Sequence, residues 1–174
     1  MNYRMSTLLV SFLFVLSACS SLPSEPEGDM ALLVFPMETS TAPGNSIWWD
    51  YQIFAENMDT GERKPFFLRP APRVEYEIVV LDTGGRFLLN GWNSRNRNNN
   101  RVNQHGLSRY ATARSGHLNL YPHRLVVRSE NNNQRRRFVP MHPQEQEALL
   151  EQIRRDHPDM NNWPSFISGG SLED

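Results

Sequence analysis

Between Arg86 and Arg137 the chain carries eleven arginines, at positions 86, 95, 97, 101, 109, 114, 124, 128, 135, 136 and 137, against a single acid, Glu130. Lys64 is the only lysine in the whole chain, so the cationic chemistry belongs to guanidinium. A guanidinium presents a planar fork of donors that matches phosphate or carboxylate in pairs, whereas an ammonium offers only a point charge. The flanks have the opposite sign. From Glu25 to Asp82 there are eleven acids and four bases, and from Met141 onward seven acids stand against Arg154 and Arg155. Asn93 to Gln104 sets Arg95, Arg97 and Arg101 among asparagines with Val102 as its one apolar residue, and reads as a long mobile loop able to act as a binding arm. Together with Arg109 and Arg114, these residues are the candidate anion-binding set. The competing reading is that arginine on outward strand faces merely solvates a sheet, with the acidic flanks neutralising it across the domain. Clustering separates the two: convergence of the five with Arg124 on one face favours binding, scatter or pairing with acids favours solvation.

Other chemistries lack their residues. His117 and His123 flank a Pro122-containing segment with no Cys, Asp or Glu near enough in sequence to complete a ligand set, so neither metal nor cofactor is expected. His105, His142 and His157 fall in presumed loops or at helix ends. Ser115-Gly116-His117 and Ser168-Gly169-Gly170-Ser171 contain serine and glycine without the G-x-S-x-G elbow, and Glu75 and Glu77 alternate with Val74 and Tyr76 as solvent-facing residues. No enzymatic activity is expected from this set.

Cys19 is the sole cysteine and follows an apolar run, Leu8 to Val15, that Arg4 precedes. The run is about half the roughly 20 residues of a membrane-spanning helix, which marks a processing segment rather than a span. Leu16-Ser17-Ala18-Cys19 resembles the lipobox of bacterial lipoproteins. That resemblance implies a signal peptide over residues 1–18 and acylation of Cys19, palmitate included, which would tether the mature protein to a membrane. Ser20 stands where an Asp would signal inner-membrane retention in that family, so the implied address is the outer membrane, facing the periplasm. One cysteine forms no internal disulfide, and the exported domain must rely on its core.

Residues 19–29, rich in Ser, Pro and Glu, read as a flexible tether. The folded domain spans 30–140. Short apolar or alternating runs bounded by Pro, Gly, Asn and Asp predict strands at Met30–Phe35, Ile47–Phe54, Pro65–Leu68, Val74–Leu81, Arg86–Leu89, Ser108–Thr112, His117–Tyr121, Arg124–Arg128 and Arg136–Val139. Alternation turns Val74, Tyr76, Ile78 and Val80 inward, and Asp82-Thr83-Gly84-Gly85 is read as the turn of a hairpin to Arg86–Leu89. The adjacent Trp48 and Trp49 face opposite ways, one filling the core while the other joins Phe54 outside. A helix is expected within 141–158, begun by Pro143, striped by Ala148, Leu149 and Ile153, and closed by Arg154, Arg155 and Pro158. In the tail, 159–174, Trp163, Phe166 and Ile167 are set to dock. The fold class is therefore mainly β: an antiparallel sandwich of about seven to eight strands with one C-terminal α-helix.

The order Tyr76–Leu81, Gly84-Gly85, Arg86–Leu89 looks like the central hairpin of transthyretin-like and carboxypeptidase-regulatory-like sandwiches of bacterial lipoproteins. Such folds host scaffolding, adhesion and sugar-binding modules. The expected function is a non-catalytic outer-membrane lipoprotein serving as an envelope interaction or scaffold module. The alternative is a binding module for anionic glycan, polymer or lipid headgroups through the Arg-rich segment 86–137. Nucleic acid is not an expected partner of an exported, anchored chain.

Overall fold

The structure is a computed structural model that describes residues 22–130 and 133–168. The expected signal peptide 1–18, Cys19 with the next two residues of the expected tether, Asn131 and Asn132, and residues 169–174 of the expected tail lie outside the described residues. The described strands are β1 (Ala31–Thr41), β2 (Trp49–Asn57), β3 (Arg63–Leu68), β4 (Tyr76–Leu81), β5 (Gly85–Asn96), β6 (Val102–Ala113), β7 (Leu118–Leu120), β8 (His123–Glu130), β9 (Asn133–Pro140) and β10 (Ser165–Ile167). The helix α1 spans Pro143–Asp156, and a single 3₁₀ turn covers Pro158–Asn162. One sheet runs β10-β7-β1-β8-β9 with β4 also paired to β1; the other runs β3-β2-β5-β6.

The domain is mainly β with two sheets and a C-terminal helix, but not purely antiparallel, and it has about ten strands rather than seven or eight. β1 is antiparallel to β4 yet parallel to β7 and β8, and β10 is parallel to β7. Parallel neighbours need long connections, which leave no local turn signal in the sequence. The expected hairpin of Tyr76–Leu81 with Arg86–Leu89 does not form: β4 pairs with β1, while β5 pairs with β2 and β6 in the other sheet. Gly84 and Gly85 serve this crossing between sheets. A Cβ on Gly84 would lie 2.6 Å from the Ser115 backbone nitrogen, and Gly85 holds φ at 142° against the Asn57 side chain.

β1 is buried on both faces, which explains why Ala31–Phe35 is continuously apolar instead of alternating. Ala31, Leu33, Phe35 and Met37 join the core between the sheets with Ile53, Phe66, Leu89 and Leu125. Leu32 and Val34 turn the other way and pack under α1 with Leu149, Leu150 and Ile153. β1 does not stop at Pro36 as expected. Pro36 sits where the last pair with β7, Val34–Leu120, gives way to the first with β8, Met37–Leu125, so its missing N–H falls at a break in the ladder.

The same two-sided burial corrects β4. Tyr76, Ile78 and Val80 lie under the helix, and Val79 and Leu81 face the inter-sheet core. Glu77 shares the face of Val79 and is half-buried; burial pushes its carboxyl up, against the pull of Arg69. On α1 the buried positions are Gln146, Leu149, Leu150 and Ile153, with Ala148 exposed. Glu145 accepts the His142 N–H at 2.8 Å, closing the first turn.

Pro23 and Trp163, 140 residues apart, are drawn together on the helix side. Trp163 is buried beside Met160, and its indole N–H donates to the Pro23 carbonyl at 2.9 Å. Leu22 and Met30 pack on the same cluster. The stretch read as a flexible tether is therefore held along residues 22–30. Phe166 lies under Arg114, 3.9 Å from its guanidinium carbon, while Ile167 remains exposed. The helix covers the first sheet and not the second, so Phe54, at 38% exposure, stays uncovered on the outer face of β2.

Candidate anion-binding site

Strand alternation splits the β8–β9 hairpin into two faces. Leu125 and Val127 enter the inter-sheet core, and Phe138 packs against it. The other face presents Arg124, Val126 and Arg128 from β8 beside Arg135, Arg137 and Val139 from β9. Register places Arg128 directly opposite Arg135 and Val126 opposite Arg137, so two like charges face each other across the strands with a third alongside. Directly opposed like charges destabilise a strand pair. Among the described residues no ion pair involves Arg128, Arg135 or Arg137.

These three arginines line a cleft of about 550 Å³ with Val126, Glu130 and Asn133, in which Glu130 is the single acid. A second hollow of about 250 Å³ shares Val126, Arg128 and Arg137 and continues toward α1. There the balance is different, because Arg124 is already occupied by Glu38 at 3.1 Å and Glu145 at 3.3 Å. The backbone N–H of His142, reinforced by Arg124, holds the Glu145 carboxyl below the usual carboxylate range and keeps it ionised for that contact. On this face of the hairpin the arginines without an acid partner are thus those toward its end.

The five arginines singled out by sequence do not converge. Asn93–Gln104 is no loop: β5 continues to Asn96 and β6 starts at Val102, leaving a tight connection braced by Asn side chains, with Asn96 Oδ1 accepting the Asn98 N–H at 2.8 Å. Arg97 is spent on Asp50, at 2.8 Å from Nε, and on the Pro70 carbonyl at 3.1 Å. Arg95 donates to Asn100 Oδ1 at 2.8 Å, and Arg101 is exposed beside them. Arg114 covers Phe166, and Arg109 points between the sheets above Phe138. By the clustering criterion these five fall on the side of solvation and structure. Compared with known proteins, the chain matches no family model, no curated protein and no solved structure. The arginines that do gather on one face are Arg128, Arg135 and Arg137, inside the same Arg-rich segment but missed individually. The signal was present in Arg135-Arg136-Arg137 opposite Arg128, and strand register was needed to read it.

Behind the hairpin, the inward polar groups are Gln134 and Arg136, which meet Tyr51 and His105 of the other sheet. Gln134 donates to the Tyr51 hydroxyl at 2.6 Å, and burial pushes that hydroxyl up to about 12. His105 sits against Ser94 Oγ at 3.1 Å and receives Arg136 Nη2, whose guanidinium also lies 5.1 Å above the Trp92 ring. Burial lowers His105, helped by Arg136, and burial lowers His123, helped by Arg109. Both imidazoles therefore resist protonation when folded, while the unfolded chain protonates near 6.5. Stability from this source is complete above that pH and is lost as pH falls through it. The melting temperature is expected to fall from pH 7 to 5.5, above the ordinary carboxylate range, and His123→Gln should flatten the decline. An unchanged slope in thermal melts of that variant would contradict it.

Proposed function

We propose that the chain is a non-catalytic lipoprotein of the bacterial outer membrane, tethered through Cys19, and that the outer face of the β8–β9 hairpin binds anionic envelope polymers or lipid headgroups. The observation that carries this reading is the opposition of Arg128 and Arg135, flanked by Arg137, with no acid among the described residues paired to any of the three. A phosphate- or carboxylate-bearing ligand relieves that repulsion and takes up the guanidinium forks in pairs. The surrounding arginines at 97 and 124 are already neutralised, which focuses the site.

Purified protein is expected to bind lipopolysaccharide with an affinity that drops steeply with salt, as the screening length shortens from roughly 30 Å at 0.01 M to about 8 Å at physiological ionic strength. Changing Arg128, Arg135 and Arg137 together to Gln should remove most binding without loss of stability, whereas the same change at Arg95, Arg97 and Arg101 should leave binding largely intact. Equal losses in the two triple variants, or no binding at low salt, would overturn the reading. The anchor is tested by fatty-acid labelling, which Cys19→Ser should abolish. A second reading, an interaction scaffold working through protein contacts, is favoured by the outer face of the second sheet, where Phe67 and Val102 are 50% and 51% exposed. Loss of a crosslinked envelope protein on Phe67→Ser would support it.

A further inference from the structure

On the outer face of the second sheet, two neighbouring strands carry glycine at facing positions. Gly91 on β5 pairs with Gly106 on β6, and Phe54 on β2 pairs with Gly91 from the other side. Neither glycine holds a positive φ. A Cβ on Gly91 would meet its nearest neighbour at 3.5 Å, an ordinary contact, and a Cβ on Gly106 would meet nothing within 4 Å. Backbone geometry and packing therefore demand neither. Glycine inside a strand weakens it, and often marks a place where another molecule approaches the backbone closely. Here the pair opens a trough floored by bare main chain, edged by the exposed Phe54 ring, whose Cδ2 is 3.8 Å from the Gly91 Cβ position. The register of β5 also shifts at Asn90 against both β2 and β6, a local irregularity of the kind found beside functional sites. The next outward row is Phe67, Gln52, Asn93 and Gln104. Phe67, Gln52 and Asn93 line a cleft of about 500 Å³ that Val102 also borders.

The charges around this cleft are already engaged. Asp50 is paired with Arg97, Arg95 donates to Asn100 Oδ1 through both Nε and Nη2, and Arg69 lies near Glu77. In contrast, the side-chain amides of Gln52, Asn93 and Gln104 make no hydrogen bond among the described residues. An amide carries donors and an acceptor together, which matches neighbouring hydroxyls or an acetamido group and favours neither sign of charge. We propose that this face binds a neutral glycan, an extended β-linked chain of pyranose rings whose C–H faces rest on Phe67 and Phe54 while its hydroxyl or acetamido groups pair with Gln52 and Asn93. Exposed rings supply apolar area at fixed orientation, and a few placed polar groups set the direction of the chain. The row from β3 through β2 and β5 to β6 is about 14 Å long at the usual strand spacing, a path that an extended chain follows and a coiled one leaves. The face belongs to the other sheet from Arg128, Arg135 and Arg137, and the inference does not rest on the anion-binding reading.

The probes are cellohexaose and chitohexaose, titrated into the purified protein by calorimetry at low and at high salt. Saturable binding of at least one is expected, with little change between the two salt conditions because the ligand carries no charge. Phe67→Ala should weaken that binding about tenfold, the worth of one stacked ring. Gly106→Val fills the trough from an open position and should weaken binding by a similar factor at an unchanged melting temperature. The Arg128, Arg135 and Arg137 triple variant should bind the sugars as the wild type does, so that this proposal and the anion-binding reading fail independently. Absence of binding by both sugars would overturn the proposal, and so would binding that survives both Phe67→Ala and Gly106→Val. Capture of an envelope protein through Phe67, without sugar binding, would overturn it in favour of the scaffold reading of the same face.

Discussion

Leu32→Ala and Leu33→Ala are each expected to cost about 2–5 kcal/mol, although they are neighbours on one strand. In a sheet with one face in water, adjacent positions alternate, and one of the two would fall within about 0.5 kcal/mol of wild type. Here both side chains are 0% exposed. Leu33 fills the space between the sheets, and Leu32 packs against Leu149, Leu150 and Ile153 of the helix layer. Truncating either leaves a cavity that close-packed neighbours on two sides fill only in part. Urea denaturation of the two variants checks this. A near-silent Leu32→Ala would mean that α1 does not seal the outer face of β1.

Trp163→Ala is expected to cost about 3–5 kcal/mol, the range for emptying a buried aromatic site. Its effect should also spread to the start of the described chain, because the indole N–H holds the Pro23 carbonyl and its ring supports Leu22 and Met30. Amide exchange around Glu25 to Asp29 should accelerate in this variant. Trp163→Phe keeps most of the apolar volume and loses the single hydrogen bond, so its cost should be nearer 1 kcal/mol while exchange still quickens. Unchanged exchange in both variants would show that residues 22–30 are held by other contacts.

Strand positions were largely legible because Pro, Gly and Asn punctuate them, and the helix was legible from Pro143 and the closing Arg154 and Arg155. Partnership was not. Gly84-Gly85 marks a change of direction equally well whether the next strand returns beside β4 or crosses to the other sheet, and only the Ser115 backbone against Gly84 decides. β10, three residues long and parallel to β7, has neither the length nor the turn to announce itself. Alternation in Val74–Leu81 was real, but it was read as inside against outside when both sides are covered. The candidate site fared similarly. Charge segregation located the segment that holds Arg128, Arg135 and Arg137, whereas composition favoured the Asn-rich stretch, whose Arg95 and Arg97 are consumed by Asn100, Asp50 and the Pro70 carbonyl. Register across β8 and β9, invisible in a linear count, selected the others.

The wiring of β1 sets an order of events. The sheet β3-β2-β5-β6 is completed by strands that all lie between Trp49 and Ala113, mostly joined to near neighbours in sequence. β1 precedes all of them, yet its parallel ladder waits for Leu118–Leu120 and for His123–Glu130, which follow the whole of that sheet in the chain. Contacts so distant in sequence are slow to form, because loop closure must come before any gain from pairing. The most apolar segment of the domain is thus the first described strand in the chain, and β4 covers one of its edges well before β7 and β8 arrive to cover the other. Until α1 arrives, Leu32 and Val34 leave a chargeless strand face open, the kind of surface that chaperones shield and that aggregates when left bare.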